Sequence, residues 1–249
     1  MNMASNSAIE WTEVTWNPVT GCSKISAGCK NCYAERYAKR LKAMGLARYE
    51  REFDVALHED LVSMPKRWIR PRMVFVNSMS DLFHEKVPAS FIRRLFDTMG
   101  SCSQHIFQIL TKRSERLRAL AGELPWENNI WIGVTVEDSS RMFRIKDLSH
   151  VPAAVRFVSF EPLLGPMGNI PLKRIEWVIV GGESGPRARP MQKEWVDGIL
   201  IQSREAGIPF FFKQWGGFPK KRAGRKLNGR LYDEFPDWAL PGAYLSEKA

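Results

Sequence analysis

The chain has 249 residues, 44% of them hydrophobic and 26% charged, the ordinary balance of a soluble globular protein with one large core. No run approaches the roughly 18 apolar residues that span a bilayer, the opening MNMASNSAIEWTEVTWNP has no basic and apolar signal regions, and four cysteines make no disulfide scaffold; a cytoplasmic protein without a membrane partner is expected. Thirty-seven Lys and Arg against 27 Asp and Glu leave a net charge of +10, which favours a polyanion such as nucleic acid over a small anionic substrate.

Short runs rich in Val, Ile, Phe and Trp predict strands at 14–16, 73–77, 105–111, 130–136, 155–160, 175–180 and 209–212. Longer stretches with helical spacing predict helices at 32–44, 88–99, 114–121, 139–148 and 193–206. Pro88 suits a first helical turn, and Gly100 and Gly207 suit helix ends. Strands alternating with helices, without hairpin signals between them, imply an α/β protein with a parallel sheet built by right-handed crossovers.

Each predicted strand after the first passes directly into polar or glycine-rich residues: Asn77-Ser78-Met79-Ser80-Asp81, Thr111-Lys112-Arg113, Thr135-Val136-Glu137, Ser159-Phe160-Glu161, Gly181-Gly182-Glu183-Ser184 and Lys213-Gln214-Trp215. In a parallel (β/α) barrel these carboxyl ends converge on one face, and a doubly wound sheet also places ligands beyond them. Six such ends in succession, four bearing a carboxylate, predict a site there. After Trp215 the composition changes. Lys220, Lys221, Arg222, Arg225, Lys226 and Arg230 stand among Phe218, Tyr232, Phe235 and Trp238, and Asn228-Gly229 signals a hairpin with a type I′ turn.

Cys22, Cys29 and Cys32 form a C-x6-C-x2-C pattern between the first strand and the first helix. Three thiols within eleven residues point to metal in a reducing compartment, and thiolates are the ligands of choice for iron–sulfur clusters and for zinc. A helix beginning at Cys32 would stabilise thiolate charge with its N-terminal dipole. Structural zinc normally takes four protein ligands. Cys102 precedes a strand and is expected on the opposite face, so a fourth thiolate is missing. For a [4Fe–4S] cluster the missing ligand leaves one iron open. Cluster and zinc both stay in play on the residues alone, as does a set of unmetallated thiols.

The segment TWNPVTGCSKISAGCKNCYAERYAKRL, with VSFEPLLGP, VGGESGPRARP and FKQWGG downstream, resembles the phage- and prophage-associated three-cysteine-motif family, a family of unknown function that is a divergent relative of the radical S-adenosylmethionine (SAM) enzymes. The resemblance runs from Ile9 to about Phe235. It departs from the wider radical SAM pattern, C-x3-C-x2-C with an aromatic before the last cysteine, because the first gap is six residues and Tyr33 follows Cys32. It implies a partial or complete (β/α) barrel with a cluster near its first loop. SAM would bind the open iron and be cleaved by one electron to methionine and a 5′-deoxyadenosyl radical, with flavodoxin or ferredoxin as electron donor. The expected organisation is a barrel-like domain over residues 1–216 and a basic, aromatic hairpin tail over 217–249 packed on it.

By the same resemblance, Asn77, Ser78 and Asp81 would hold the methionine amino group, although Asp81 equally suits a turn cap. Lys112 or Arg113 would pair the methionine carboxylate, and Thr135 and Glu137 would address the ribose. Glu161 would bind SAM or substrate, or else serve as a buried salt-bridge partner. The run Gly181, Gly182, Glu183 and Ser184 would let backbone approach a ligand closely. It is not a Walker loop. Lys213, Gln214, Trp215, Lys220, Lys221, Arg222, Arg225 and Lys226 would meet a nucleic-acid substrate, cations on phosphates and aromatics on unstacked bases. The expected activity is repair or modification of a base or nucleotide. The rival readings are a non-enzymatic nucleic-acid-binding module with structural zinc, and an effector that works only with a partner protein.

Overall fold

The computed structural model describes residues 5–7 and 9–240. Seven parallel strands stand in sequence order: β1 (Val14–Trp16), β2 (Met73–Val76), β3 (Ile106–Thr111), β4 (Ile130–Thr135), β5 (Val155–Phe160), β6 (Trp177–Gly181) and β7 (Phe210–Gln214). A two-residue strand, Ser5–Asn6, pairs antiparallel with β1. The sheet curls into a half-barrel, with β1 and β7 at its two sides. Five longer helices cross over between strands: α1 (Tyr33–Ala43), α2 (Ala89–Gly100), α3 (Ser114–Leu120), α4 (Phe143–Leu148) and α5 (Lys193–Glu205). Among the described residues no helix is long and apolar enough to cross a membrane.

Most predicted elements lie within two residues of their observed bounds. Residues 139–148 differ. They divide into a 3-10 turn at Ser139–Arg141 and α4, because the Asp138 side chain caps the Ser140 N–H at 2.9 Å and starts the turn separately. Pro88 sits one position before its expected place, as the extended N-cap of α2.

The period of two along each strand separates two apolar layers. Val134, Val158, Phe160, Val178, Val180 and Phe212 face outward, into one cluster with Ile92, Leu95, Phe96 and Ile199 of the helices. Met73, Phe75, Trp131, Val155, Phe157, Trp177, Ile179 and Phe211 form a second cluster, closed by Trp11 from the N-terminal end. Trp177 is the hub of this inner plug: its ring centroid lies 4.8–6.2 Å from those of Trp11, Trp131, Phe157, Phe211 and Phe235. Burying one such ring contributes roughly 1.5–3 kcal/mol by area alone. Gly133 belongs to this packing, because a Cβ there would stand 2.4 Å from the Phe157 ring.

The inner phase, followed beyond the plug, reaches the strand ends: Thr135 and Glu137 after Trp131, Ser159 and Glu161 after Phe157, Gly181 and Glu183 after Ile179, and Lys213 after Phe211. Sequence alternation thus aims the predicted polar residues over the mouth of the half-barrel.

The tail turns downward. Asn228 and Gly229 both have positive φ, 53° and 79°, and Leu227 and Arg230 exchange two backbone hydrogen bonds, so the type I′ turn forms. Its ladder is that single bridge, and Lys220–Ala223 is a helical turn. Beyond it, Tyr232 accepts the Phe212 N–H at 2.8 Å and Asp233 pairs antiparallel with Phe211. The tail therefore covers part of the open edge of β7. Residues 241–249 of the predicted tail lie outside the described residues.

Candidate active site

The cysteine segment lies between β1 and α1. Cys22 donates its N–H to the Phe53 carbonyl at 3.0 Å, Cys29 ends a 3-10 turn (Ala27–Cys29), and Cys32 is the N-cap of α1. All three are free and half-buried. Cys102 is buried next to the N-terminal end of β3, as expected, at the far end of the sheet. Three free thiols on one short segment are a soft donor set that fits an iron–sulfur cluster. The three sulfurs do not converge on a common point in this conformation. Burial and the nearby Asp81 charge push the Cys22 thiol up to about 11, against the pull of Arg113.

Each cysteine has a neighbour tied to a different strand end. Next to Cys22, Ser23 takes two bonds from Arg113, to its carbonyl at 3.2 Å and to its Oγ at 2.9 Å. The buried His84 ring reaches the same hydroxyl through Nε2 at 2.9 Å, while Nδ1 accepts the Lys86 N–H. That pattern assigns a neutral ring donating to Ser23, and burial, helped by Arg113, holds His84 below its usual range. Next to Cys29, Gly28 donates its N–H to Glu137 at 3.3 Å. Next to Cys32, the Asn31 amide donates to Glu183 at 2.9 Å and to the Arg187 carbonyl at 3.1 Å. Tyr33 completes the span by donating its hydroxyl to the Ser78 carbonyl.

Most of the other predicted site residues are engaged with the chain itself. Asp81 is the turn cap that its residue type allowed: it accepts from the Phe83 N–H, the Thr111 hydroxyl and the Lys112 N–H at 2.6–3.0 Å, tying β2 to β3. Asn77, at φ 64°, accepts the Val19 N–H, while its buried Nδ2 has no partner. Ser78 donates to Asn17. Lys112 packs beside Gly28, and Arg113 pairs with Glu85 at 2.5 Å. Thr135 is buried, and its carbonyl accepts from Arg144, which also pairs with Glu137 at 2.8 Å.

Glu183 is the most heavily used carboxylate. Besides Asn31 it takes the Arg189 N–H, Nε and Nη2 at 2.5–2.9 Å, and Arg189 reaches on to the Ala27 carbonyl at 3.0 Å. Burial raises its proton affinity, but the Arg189 bonds outweigh it and hold the carboxyl at about 2. Gly182 lets the backbone approach closely, although to Trp215 of the chain: a Cβ there would stand 2.0 Å from the Trp215 carbonyl oxygen. Gln214 donates to Ser184 and to the Gly182 carbonyl. Glu161 pairs with Lys213 at 2.5 Å.

In the tail, Arg225 is tied to the Lys213 carbonyl and to Asp233, and Trp215 donates to the Lys226 carbonyl. Arg222 and Lys226 are exposed. The side chains of Lys220 and Lys221 lie outside what is described. Of the aromatics expected to stack on bases, Tyr232 is buried against Phe210, and Phe235 is half-buried against Trp177. Trp238 is exposed but lines a cleft with Gly100, Ser103 and Asn129, at the opposite end of the sheet from the cysteines. Sequence reasoning missed Ser23, Asn31, Arg144 and Arg189. A signal was available for two of them, since Glu137 and Glu183 are each followed within seven residues by an arginine that could neutralise them.

The fold is similar to that of spore photoproduct lyase. A mutant of that protein matches with a TM-score of 0.52 at 10% identity, covering 82% of this chain and 64% of that one. A second mutant, with bound AdoMet and dinucleoside spore photoproduct, matches at 0.50 and 9% identity, covering 81% and 64%. A third, with dinucleoside spore photoproduct, matches at 0.50 and 9%, covering 81% and 63%. This chain thus spans less than two thirds of those relatives, and at such identity the likeness is one of fold alone. No curated protein matches in sequence. A family model described as "Protein of unknown function (DUF5131)" matches residues 6–236, and the chain belongs to that family.

Proposed function

We propose that this chain is a radical SAM-like iron–sulfur enzyme acting on a nucleic-acid base or nucleotide, in repair or modification, with DNA favoured over RNA. The observation that carries the proposal is the placement of all three cysteines of one segment over the carboxyl ends of a radical SAM-like half-barrel. Cys22, Cys29 and Cys32 would hold the [4Fe–4S] cluster. With Cys102 at the other end of the sheet, the segment has no fourth thiolate, which favours a cluster with an open iron over structural zinc. Cluster and SAM, held there, would supply reductive SAM cleavage and hydrogen-atom abstraction from the substrate.

The chain's own residues supply position and enclosure. The cysteine segment roofs the mouth, so a substrate has to enter beside it, where Glu161 and Lys213 stand with Trp215 and the start of the basic tail. The inner aromatic plug fills the far end of the half-barrel. The net charge of +10 and the dinucleoside spore photoproduct bound in a structural relative support a nucleic-acid substrate. The test is anaerobic purification with iron and sulfide analysis, followed by SAM titration calorimetry. A brown protein that binds SAM is expected. A colourless zinc protein would replace this reading with that of a non-enzymatic binding module.

A further inference from the structure

Glu137 and Glu183 stand at the ends of β4 and β6, on either side of β5, and they share an arrangement. Each is buried, each is neutralised by an arginine close after it in sequence, and each spends a remaining acceptor site on the cysteine segment. Glu137 pairs with Arg144 at 2.8 Å and takes the Gly28 N–H. Glu183 pairs with Arg189 at 2.5 Å and takes the Asn31 amide, and Arg189 adds a bond to the Ala27 carbonyl.

A carboxylate offers about four acceptor sites, and an arginine partner leaves some of them free. A buried ion pair is weak evidence of net stability, because desolvation offsets most of the attraction. Here the arginine makes the buried carboxylate tolerable, and the carboxylate in turn fixes a loop that has little core of its own. Gly28 and Asn31 directly precede Cys29 and Cys32. A displacement of either would therefore move a sulfur.

We infer that Glu137 and Glu183, each with its arginine, are positioning residues that fix the chain beside Cys29 and Cys32, from which these two thiols would bind metal. This rests on the reading of the thiols as cluster ligands. It gives Glu183 a task in the apoprotein, distinct from contact with SAM. Outer-shell partners of this kind commonly govern metal affinity by about 10- to 100-fold.

The experiment uses the full chain and Co²⁺, whose bound thiolates report by their own absorption. Asn31→Ala is the main variant, because it cuts the bonds beside Cys32 while leaving the Glu183–Arg189 pair and the Arg189–Ala27 bond intact; Glu183→Gln and Glu137→Gln accompany it. Asn31→Ala should weaken Co²⁺ binding about 10- to 100-fold and speed amide exchange over residues 27–32 in the metal-free chain, with the thermal midpoint unchanged. Asn31→Asp should be worse than Asn31→Ala, since it sets a second carboxylate against Glu183. Should Cys29→Ala lose Co²⁺ while Asn31→Ala and Glu183→Gln bind it as tightly as the parent, the positioning role is overturned and the thiol ligands stand. Equal binding by the parent and Cys29→Ala would instead overturn the ligand reading, and this role with it.

Discussion

Lys213 and Glu161 meet across Gly181, Nζ to Oε1 at 2.5 Å, from the ends of β7 and β5, which are not neighbours in the sheet. The strand between them carries no side chain at that level. A Cβ on Gly181 would stand 3.3 Å from the Glu161 carboxyl carbon and 3.4 Å from the Lys213 Cβ. A double-mutant cycle with Glu161→Gln and Lys213→Met should show a coupling of roughly 0.5–3 kcal/mol in denaturant unfolding. Gly181→Ala, which asks the Glu161 side chain to shift by only about a few tenths of an ångström, should weaken that coupling without abolishing it. Strict additivity would mean that the two charges do not meet in solution.

Glu183 predicts a pH dependence. Its carboxyl lies at about 2 in the folded chain, below its ordinary 4.5. A depressed pKa contributes stability that is present above the unfolded value and is lost as pH falls through the folded one. The parent should therefore lose on the order of 3 kcal/mol through this group between the two values, at 1.36 kcal/mol per unit. Glu183→Gln should flatten unfolding free energy over that window. Parallel curves for parent and variant would show that Arg189 does not hold the carboxylate.

The inner plug gives a control that is independent of the site. Gly133→Ala forces a methyl within 2.4 Å of the Phe157 ring and should cost about 1–3 kcal/mol by overpacking, with iron content unchanged once folded. A neutral substitution would contradict the inward packing of β4 against β5.

What the sequence made legible follows from how local each signal is. Met73–Val76 or Ile130–Thr135 declare themselves as strands because a parallel strand buried on both faces reads as a near-continuous hydrophobic run. The mouth residues Glu137, Glu161 and Glu183 could be placed because alternation carries the inward phase past each strand end. Asn31 and Glu183 are 152 positions apart, and nothing local to Asn31 marks it as a tether. The two-residue sheet of Val19–Thr20 with Ala56–Leu57 was equally hidden, being too short for any period. Tyr232 and Phe235 read as exposed stackers because their neighbours are charged. They instead pack on Phe210 and Trp177, where the tail covers the edge of β7.

The basic tail retains a narrower prediction. Arg225 is committed to Asp233 and the Lys213 carbonyl, so binding of phosphates falls to Lys220, Lys221, Arg222 and Lys226. Replacing those four by Gln should flatten the log–log salt dependence of duplex DNA binding by up to about 0.9 for each phosphate no longer neutralised. An unchanged slope would move the binding surface off the tail.

Iron ligation can be tested residue by residue. Cys22→Ala, Cys29→Ala and Cys32→Ala should each lose most cluster iron, since each removes one of three thiolates. Cys102→Ala should retain it. Equal iron loss in Cys102→Ala and Cys29→Ala would refute the ligand set.

The most direct test of the central claim is chromatographic detection of 5′-deoxyadenosine after the anaerobically reconstituted chain is reduced with dithionite in the presence of SAM. The account predicts slow formation without substrate, faster formation with a nucleic-acid substrate, and none in Cys29→Ala. A fully iron-loaded parent that neither binds SAM nor releases 5′-deoxyadenosine would contradict it.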